Sequence, residues 1–201
     1  YQVYAADIHR SGRHLLELIN DVLDISEIEA GKRALNREQI SFDEVMDDCF
    51  RNFVPQATAD NIDLSYEIAE NLPDLYADKR SIIQIILNLV SNSLKFSPPD
   101  SAIIFSISIV GNRIALKVKD TGFGISDDVL SGVTEPFAQG HSNPLITQKG
   151  TGLGLSIVKL LVDSQDGEMN IESTVDVGTT VTISLPFSAQ ESESQEKKPE
   201  D

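Results

Sequence analysis

Cysteine, basic side chains and long apolar runs are all scarce in this chain, and each scarcity closes off a class of function. A single cysteine, Cys49, rules out a disulfide framework; it falls inside a predicted helix and reads as a small, partly buried residue. Lys and Arg number 16 against 32 Asp and Glu, a formal net charge of −16. That balance argues against nucleic acid or an anionic membrane surface as a partner. No apolar run approaches the ~18 residues of a membrane span, and Tyr1-Gln2-Val3-Tyr4 opens straight into a helical pattern, not a signal peptide. The expectation is a cytoplasmic module with no membrane contact of its own, whatever anchor a longer protein carries. The chain also lacks Gly-x-x-x-x-Gly-Lys-Ser/Thr, so no P-loop is present. What remains is 201 residues, 40% of them hydrophobic, enough for one core of ~150 residues plus an appendage.

The stretch from Asp120 to Leu155 organises the rest. It opens with Asp-Thr-Gly-Phe-Gly-Ile and closes with Gly-Thr-Gly-Leu-Gly-Leu, around an irregular segment holding Pro136, Phe137, Gly140, His141 and Pro144. The first cluster follows the alternating Ile114, Leu116 and Val118, so it sits at a strand end. The second precedes Leu155, Ile157, Val158, Leu161 and Val162, spaced as a helix face. Gly150, Gly152 and Gly154 do not match a dinucleotide fingerprint, but a glycine-rich helix N-terminus with exposed amides suits phosphate. Either cluster alone would pass for a plain loop; together they point to a nucleotide site under a mobile cover.

A second motif strengthens that reading. In Asp78–Pro98, Asp78 is placed as an N-cap, and Ile82, Ile83, Ile86, Leu89, Val90 and Leu94 form a buried helical face. Asn88, Asn92 and Lys95 follow at i, i+4 and i+7 and project from one side. A satisfied buried amide pair is the plainer alternative. Asn is a poor helix former, however, and oxygen donors beside a Lys are what a Mg²⁺–triphosphate requires.

The Asn-bearing helix, the DTGFGI loop, EPFAQ (135–139), GTGLGL and GTTVTISLP (178–186) resemble, in order and spacing, the N, G1, F, G2 and G3 boxes of sensor histidine kinases. The resemblance covers residues 1–187, and its wording is similar to the cell-cycle kinases of alphaproteobacteria, the PleC and DivL type. It implies the ATP-binding α/β sandwich shared with gyrase-type ATPases. The segment YAADIHRSGRHLLELINDVLDISEIEAGK resembles the second helix of the kinase dimerisation hairpin, which implies a homodimer through the helix hairpin and a response regulator receiver domain as partner. The family's phosphoacceptor run, His-Glu/Asp-Leu-Arg-Thr-Pro, is absent; His9 is followed by Arg-Ser and His14 by Leu-Leu. The chain is therefore expected to be a fragment, inactive alone in autophosphorylation.

Taken in order, the fold class is α+β: a long N-terminal helix, then a two-layer α/β sandwich with a mixed sheet. Residues 1–32 are assigned to the hairpin helix, 33–187 to the ATP-binding domain and 188–201 to a disordered acidic tail. In the helix, Ile8, Leu15, Leu18, Val22 and Ile25 keep a seven-residue alternation that Ile19 and Leu23 widen. Leu35–Ile40 reads as a strand. Ser41 and Glu44 read as a capping box opening a helix to about Ala59, kinked at Pro55. Ile62–Ile68 reads as a strand, Ser101–Val110 and Arg113–Lys119 as a hairpin, and a helix to about Gln165 precedes a last hairpin, Glu168–Val175 and Thr179–Phe187.

Asp120 is the expected base reader: an ionised carboxylate accepts from adenine's amine but not from guanine's oxygen, and the resemblance assigns the same role. A strand-end Asp capping the Gly122 turn is the competing reading. Gly122 and Gly124 would let backbone lie along the purine, with Phe96 and Ile125 as walls, although core packing remains open for both. Asn92 is the expected Mg²⁺ ligand, with Asn88 beside it and Lys95 on phosphate. Related ATPases carry Glu where Asn88 stands; an amide cannot accept water's proton, which favours phosphoryl transfer over hydrolysis. Lys149, Gly150, Thr151, Gly152, Leu153, Gly154 and Thr180 complete the expected ATP contacts, and Phe137 is expected to anchor the lid. Thr147-Gln148-Lys149 runs straight into Gly150, about two residues shorter than the family's lid, with Gln148 where an Arg would help hold γ-phosphate. The competing reading is a non-catalytic pseudokinase scaffold that binds a response regulator or partner kinase.

Overall fold

The computed structural model describes residues 2–31, 33–73, 75–138 and 151–187, without the side chains at 2, 3, 6, 7, 10, 13, 14, 17 and 29. Helix α1 (Gln2–Glu29) leads into strand β1 (Arg37–Ile40) and helix α2 (Phe42–Ala59). Strands β2 (Asp63–Ile68) and β3 (Leu75–Asp78), helix α3 (Lys79–Lys95) and the pair β4 (Ala102–Val110) and β5 (Arg113–Asp120) follow. A one-turn helix α4 (Asp127–Leu130), helix α5 (Gly154–Asp163) and strands β6 (Glu168–Thr174) and β7 (Gly178–Pro186) complete the order.

The main sheet runs β2-β4-β5-β7-β6. Its one parallel pairing, β2 on β4, is made by the α3 crossover, which lays α3 across the sheet. The other pairings are antiparallel, and the β4–β5 register from Ile103 opposite Asp120 to Val110 opposite Arg113 leaves a tight turn at Gly111-Asn112. Alternation along the strands splits the faces. Ile103, Phe105, Ile107, Ile114, Leu116, Val118, Val181, Ile183 and Leu185 are buried, whereas the intervening Ser106, Ser108, Lys117, Thr182 and Ser184 are not. Against that apolar face α3 lays Ile82, Ile85, Ile86, Leu89, Val90 and Leu94, and α5 lays Ile157, Val158, Leu161 and Val162. Burying one such side chain stabilises the fold by ~1.5–3 kcal/mol, so this layer holds α3 firmly enough to aim its polar side.

Several expectations are corrected. On α3, Ile82, Ile86, Leu89, Val90 and Leu94 are buried as expected, but Ile85 is fully buried where Ile83 was expected, and Ile83 is only half-buried. Ser41 does precede α2, but its side chain makes no capping hydrogen bond, and α2 continues through Pro55. Strand β3, which pairs antiparallel with β1, and the short α4 had no forecast. Asp78, by contrast, caps α3 as expected: its Oδ1 accepts from the Arg80 amide at 3.1 Å and its Oδ2 from the Ser81 hydroxyl at 3.0 Å.

Along α1 the apolar positions divide. Leu18, Ile25 and Ile28 pack on the sandwich core, while Tyr4, Ile8, Leu15, Leu16, Ile19, Val22 and Leu23 are exposed. Among the described residues no helix is long and apolar enough to cross a membrane.

Candidate nucleotide site

Asp120 ends β5 and is buried at 9% exposure. Its Oδ1 accepts from the backbone amides of Gly122 at 3.0 Å and Thr179 at 3.1 Å, and its Oδ2 accepts from the Ser93 hydroxyl at 3.1 Å. Burial pushes its carboxyl above the usual carboxylate range, and the three donors pull it back part of the way. The capping reading of this Asp is present in the geometry, since Oδ1 caps the Gly122 turn, while Oδ2 takes the Ser93 hydroxyl with a lone pair to spare.

The first glycine cluster is wedged between neighbours. A Cβ at Gly122 would run into the Phe96 carbonyl, which also accepts from the Phe123 amide at 3.0 Å. Gly124 adopts φ +68 and a side chain there would run into the Thr174 carbonyl, so glycine is required on both counts. The turn between β6 and β7 closes over this loop: Ile125 N donates to Ser173 Oγ at 2.8 Å and Asp176 N to Phe123 O at 2.8 Å. Ser173 and Thr179 share a hydroxyl–hydroxyl bond of 2.8 Å, so one network runs from Ile125 to Asp120.

The second cluster meets the Asn helix. Asn88 and Asn92 are half-buried on α3, and a Cβ at Gly154 would lie 3.3 Å from both Asn88 Oδ1 and Asn92 Nδ2. The first residue of α5 thus sits against both amides, and no side chain caps that helix at Leu153. Asn88 Nδ2 donates to the Gln84 carbonyl at 3.0 Å, which leaves its Oδ1 toward Gly154. Lys95 Nζ lies 4.8 Å over the Phe96 ring, which is 37% exposed. Two side-chain amides one helical turn apart beside a helix N-terminus carry oxygens, Asn88 Oδ1 at 3.3 Å and Asn92 Oδ1 at 3.6 Å from a Gly154 Cβ, that are hard donors of the kind Mg²⁺ takes together with phosphate oxygens; the residues fit the ion.

Residues 77–189 match the family of histidine kinase-, DNA gyrase B- and HSP90-like ATPases. The chain belongs to that family. It is 40% identical over 190 residues to the non-motile and phage-resistance protein of Caulobacter vibrioides, an alignment covering 92% of this chain and 22% of that one. To the cell-division control histidine kinase PdhS of Brucella anthropi it is 37% identical over 197 residues, covering 92% and 18%. The chain therefore spans about a fifth of the length of these curated relatives, and it corresponds to the C-terminal part of a sensor histidine kinase. Full-length ShkA in complex with AMPPNP superposes with a TM-score of 0.81 at 27% identity, over 92% of this chain and 38% of that one. The histidine kinase ThkA in complex with the response regulator TrrA superposes with a TM-score of 0.73 at 21% identity, over 92% and 51%, a likeness of fold.

Thr180 and Phe137 lie apart from the Asp120 network. Thr180 pairs with Lys119 and shares its face with Thr182 and Ser184, away from the helices; Thr179, in phase with buried Val181, is the residue that meets Asp120. Phe137 is 62% exposed, and its backbone, at φ +65, packs against Gly152. Lys149 and Gly150, with Gln139, Gly140, His141, Pro144, Thr147 and Gln148, lie outside the described residues, as does the tail from Ser188. His9 is exposed on α1.

Some residues of the site had not been anticipated. Ser93, Ser173 and Thr179 build the Asp120 network, and α1 reaches the phosphate end through two acids. Thr151 Oγ1 donates to Asp21 Oδ2 at 3.1 Å and also accepts from the Leu153 amide at 3.1 Å. Gln84 Nε2 donates to Asp24 Oδ2 at 2.6 Å, on the residue whose carbonyl holds Asn88. Ser93 and Asp21 carry small or solvated side chains on helices, where periodicity says only which side they face; no local pattern names their partners.

Proposed function

We propose that the chain is the ATP-binding catalytic arm of a sensor histidine kinase, handing the γ-phosphoryl of Mg·ATP to a histidine on a helix outside this chain, for relay to an Asp of a response regulator receiver domain. The observation that carries this reading is the meeting of Asn88 and Asn92 with Gly154 at the α5 terminus, in a domain whose strand end holds a buried, ligand-competent carboxylate. Asp120 Oδ2 would take the adenine amine, and the loop from Gly122 to Ile125 would lie along the purine, with Phe96 beside it. Asn92 would ligate Mg²⁺, which neutralises phosphate charge, and Asn88 and Lys95 would steady the phosphates, with Thr151, Gly152, Leu153 and Gly154 supplying backbone. Asn88 spends its N–H on the Gln84 carbonyl and has no basic atom, so it does not deprotonate water. Retention of the phosphoryl group for transfer follows. The part of the lid that includes Lys149 and Gly150 is assigned to phosphate as well.

The exposed apolar residues of α1 support pairing with a second copy through the helix hairpin. A cytoplasmic location accompanies the reading. Its test supplies an upstream helix bearing an acceptor histidine and asks for acid-labile label from γ-labelled ATP. Tight nucleotide binding without label would remove the kinase reading. No binding by the unmutated chain would instead favour the scaffold.

A further inference from the structure

Ser93 is a side chain that the nucleotide reading leaves unused. It follows Asn92 on α3, is 6% exposed, and points to β5 instead of toward α5. A helical serine commonly returns its hydroxyl to the carbonyl four residues back; this one reaches across to Asp120 Oδ2 at 3.1 Å. Oδ1 of the same carboxylate already takes two amides, from Gly122 at 3.0 Å and Thr179 at 3.1 Å. An ionised carboxylate offers about four lone-pair positions, two on each oxygen. Both on Oδ1 are filled and one on Oδ2 is filled, so a single acceptor position remains, and the Ser93 hydroxyl decides which one.

We propose that Ser93 is the positioning residue for base selection: it fixes the one open acceptor of Asp120 and so sets the preference for a purine that presents a donor amine over one that presents a carbonyl oxygen. This rests on the nucleotide reading above and deepens it.

The electrostatics run the same way. Burial raises the Asp120 carboxyl, while the two backbone donors and the Ser93 hydroxyl lower it. Removing the hydroxyl leaves a buried carboxylate one donor short, and it then takes up a proton at higher pH. Once protonated, the carboxyl carries an O–H that can donate to a purine carbonyl, which erodes the discrimination.

The experiment uses the full chain, Ser93→Ala and the conservative Ser93→Thr. In the ligand-free protein, ¹³C NMR follows the Asp120 carboxyl through its titration. The midpoint should rise in Ser93→Ala and return toward the unmutated value in Ser93→Thr. Calorimetry then measures Mg·ATP and Mg·GTP from mildly acid to mildly alkaline pH. The ATP-to-GTP affinity ratio should fall about tenfold in Ser93→Ala at neutral pH, and its ATP binding should fade at a higher pH than in the unmutated chain. An Asp120 midpoint that does not move in Ser93→Ala overturns the proposal without reference to any nucleotide. A uniform loss of affinity for both nucleotides, with ratio and pH profile unchanged, overturns it as well and makes Ser93 a packing residue. If the midpoint shifts as expected but the unmutated chain binds neither nucleotide, it is the nucleotide reading that has failed, and base selection falls with it.

Discussion

The base end and the phosphate end of the site are built on opposite plans. Around Asp120 most ties run to backbone: two amides on Oδ1, a glycine wedged under the Phe96 carbonyl, and a hairpin turn bonded over the loop, with the Ser93 hydroxyl the side-chain donor on Oδ2. At the other end the polar groups stand on separate helices. Asn88 and Asn92 belong to α3, Gly154 opens α5, and Thr151 and Gln84 are held by Asp21 and Asp24 of α1. The base end is preorganised by hydrogen bonds that tie the β5 end to α3 and to the β6–β7 hairpin, whereas the phosphate end exists only while three helices keep their spacing. The difference teaches where each kind of damage will show: in fold and affinity together at the base end, in affinity alone at the phosphate end.

The largest effect should come from breaking the base end at its centre. Asp120→Ala orphans two buried amides and a hydroxyl, each worth ~1–3 kcal/mol. ATP affinity should fall by on the order of 100-fold and Tm should drop as well, by calorimetry and thermal melting. Gly124→Ala attacks the same end through φ +68 and the Thr174 carbonyl, and should destabilise the fold by ~2 kcal/mol or more in urea titration. At the phosphate end Gly154→Ala should be milder in stability but selective in function. A Cβ 3.3 Å from the Asn88 and Asn92 amides displaces them by a few tenths of an ångström, so Mg·ATP affinity should fall about tenfold with Tm nearly unchanged. A matching fall in Tm and affinity would erase the contrast between the two ends.

Acid should separate binding from stability at Asp120. Its carboxyl is raised by burial, so between the ordinary carboxylate value and the raised one the folded state holds more protons than the unfolded chain. Within that window this group's contribution to stability grows as pH falls, while ATP affinity declines because the acceptor is being filled. Parallel calorimetry and urea titration over the acid range should show the opposite trends. The smallest effect belongs to α1: Asp24→Asn weakens one contact to Gln84 and should move Tm by no more than about 2 °C.

How much of this was readable in advance varies with the length of the signal. The face of α3 and both main hairpins are long periodic patterns, and they folded as patterned. Strand β3 is four residues after a proline and α4 is a single turn, too short for any period to register. Thr179 and Thr180 are separated by strand parity: buried Val181 puts odd-numbered residues of β7 on the helix side, and Thr179 meets Asp120 there. Ile83 stood in for Ile85 because a run of isoleucines satisfies more than one helical phase. The Ser41–Glu44 spacing matches a capping box, yet the Ser41 hydroxyl makes no such bond. At the site, residue types carried the chemistry of Asn88, Asn92 and Asp120, but Ser93 and Thr179 become visible only once β5, β7 and α3 are packed.

The bond from the Thr179 amide to Asp120 spans 59 residues of chain, and it has a consequence for the timing of synthesis. Strand β7 lies between β5 and β6 in the sheet, so this wall of the base pocket is laid down after β5 and both glycine clusters. A nascent chain stopped before residue 168 already carries α3, β5 and both glycine clusters, yet Asp120 lacks the Thr179 donor and the loop at Gly124 lacks its cover. The pocket is therefore complete only once the β6–β7 hairpin has been added to the sheet.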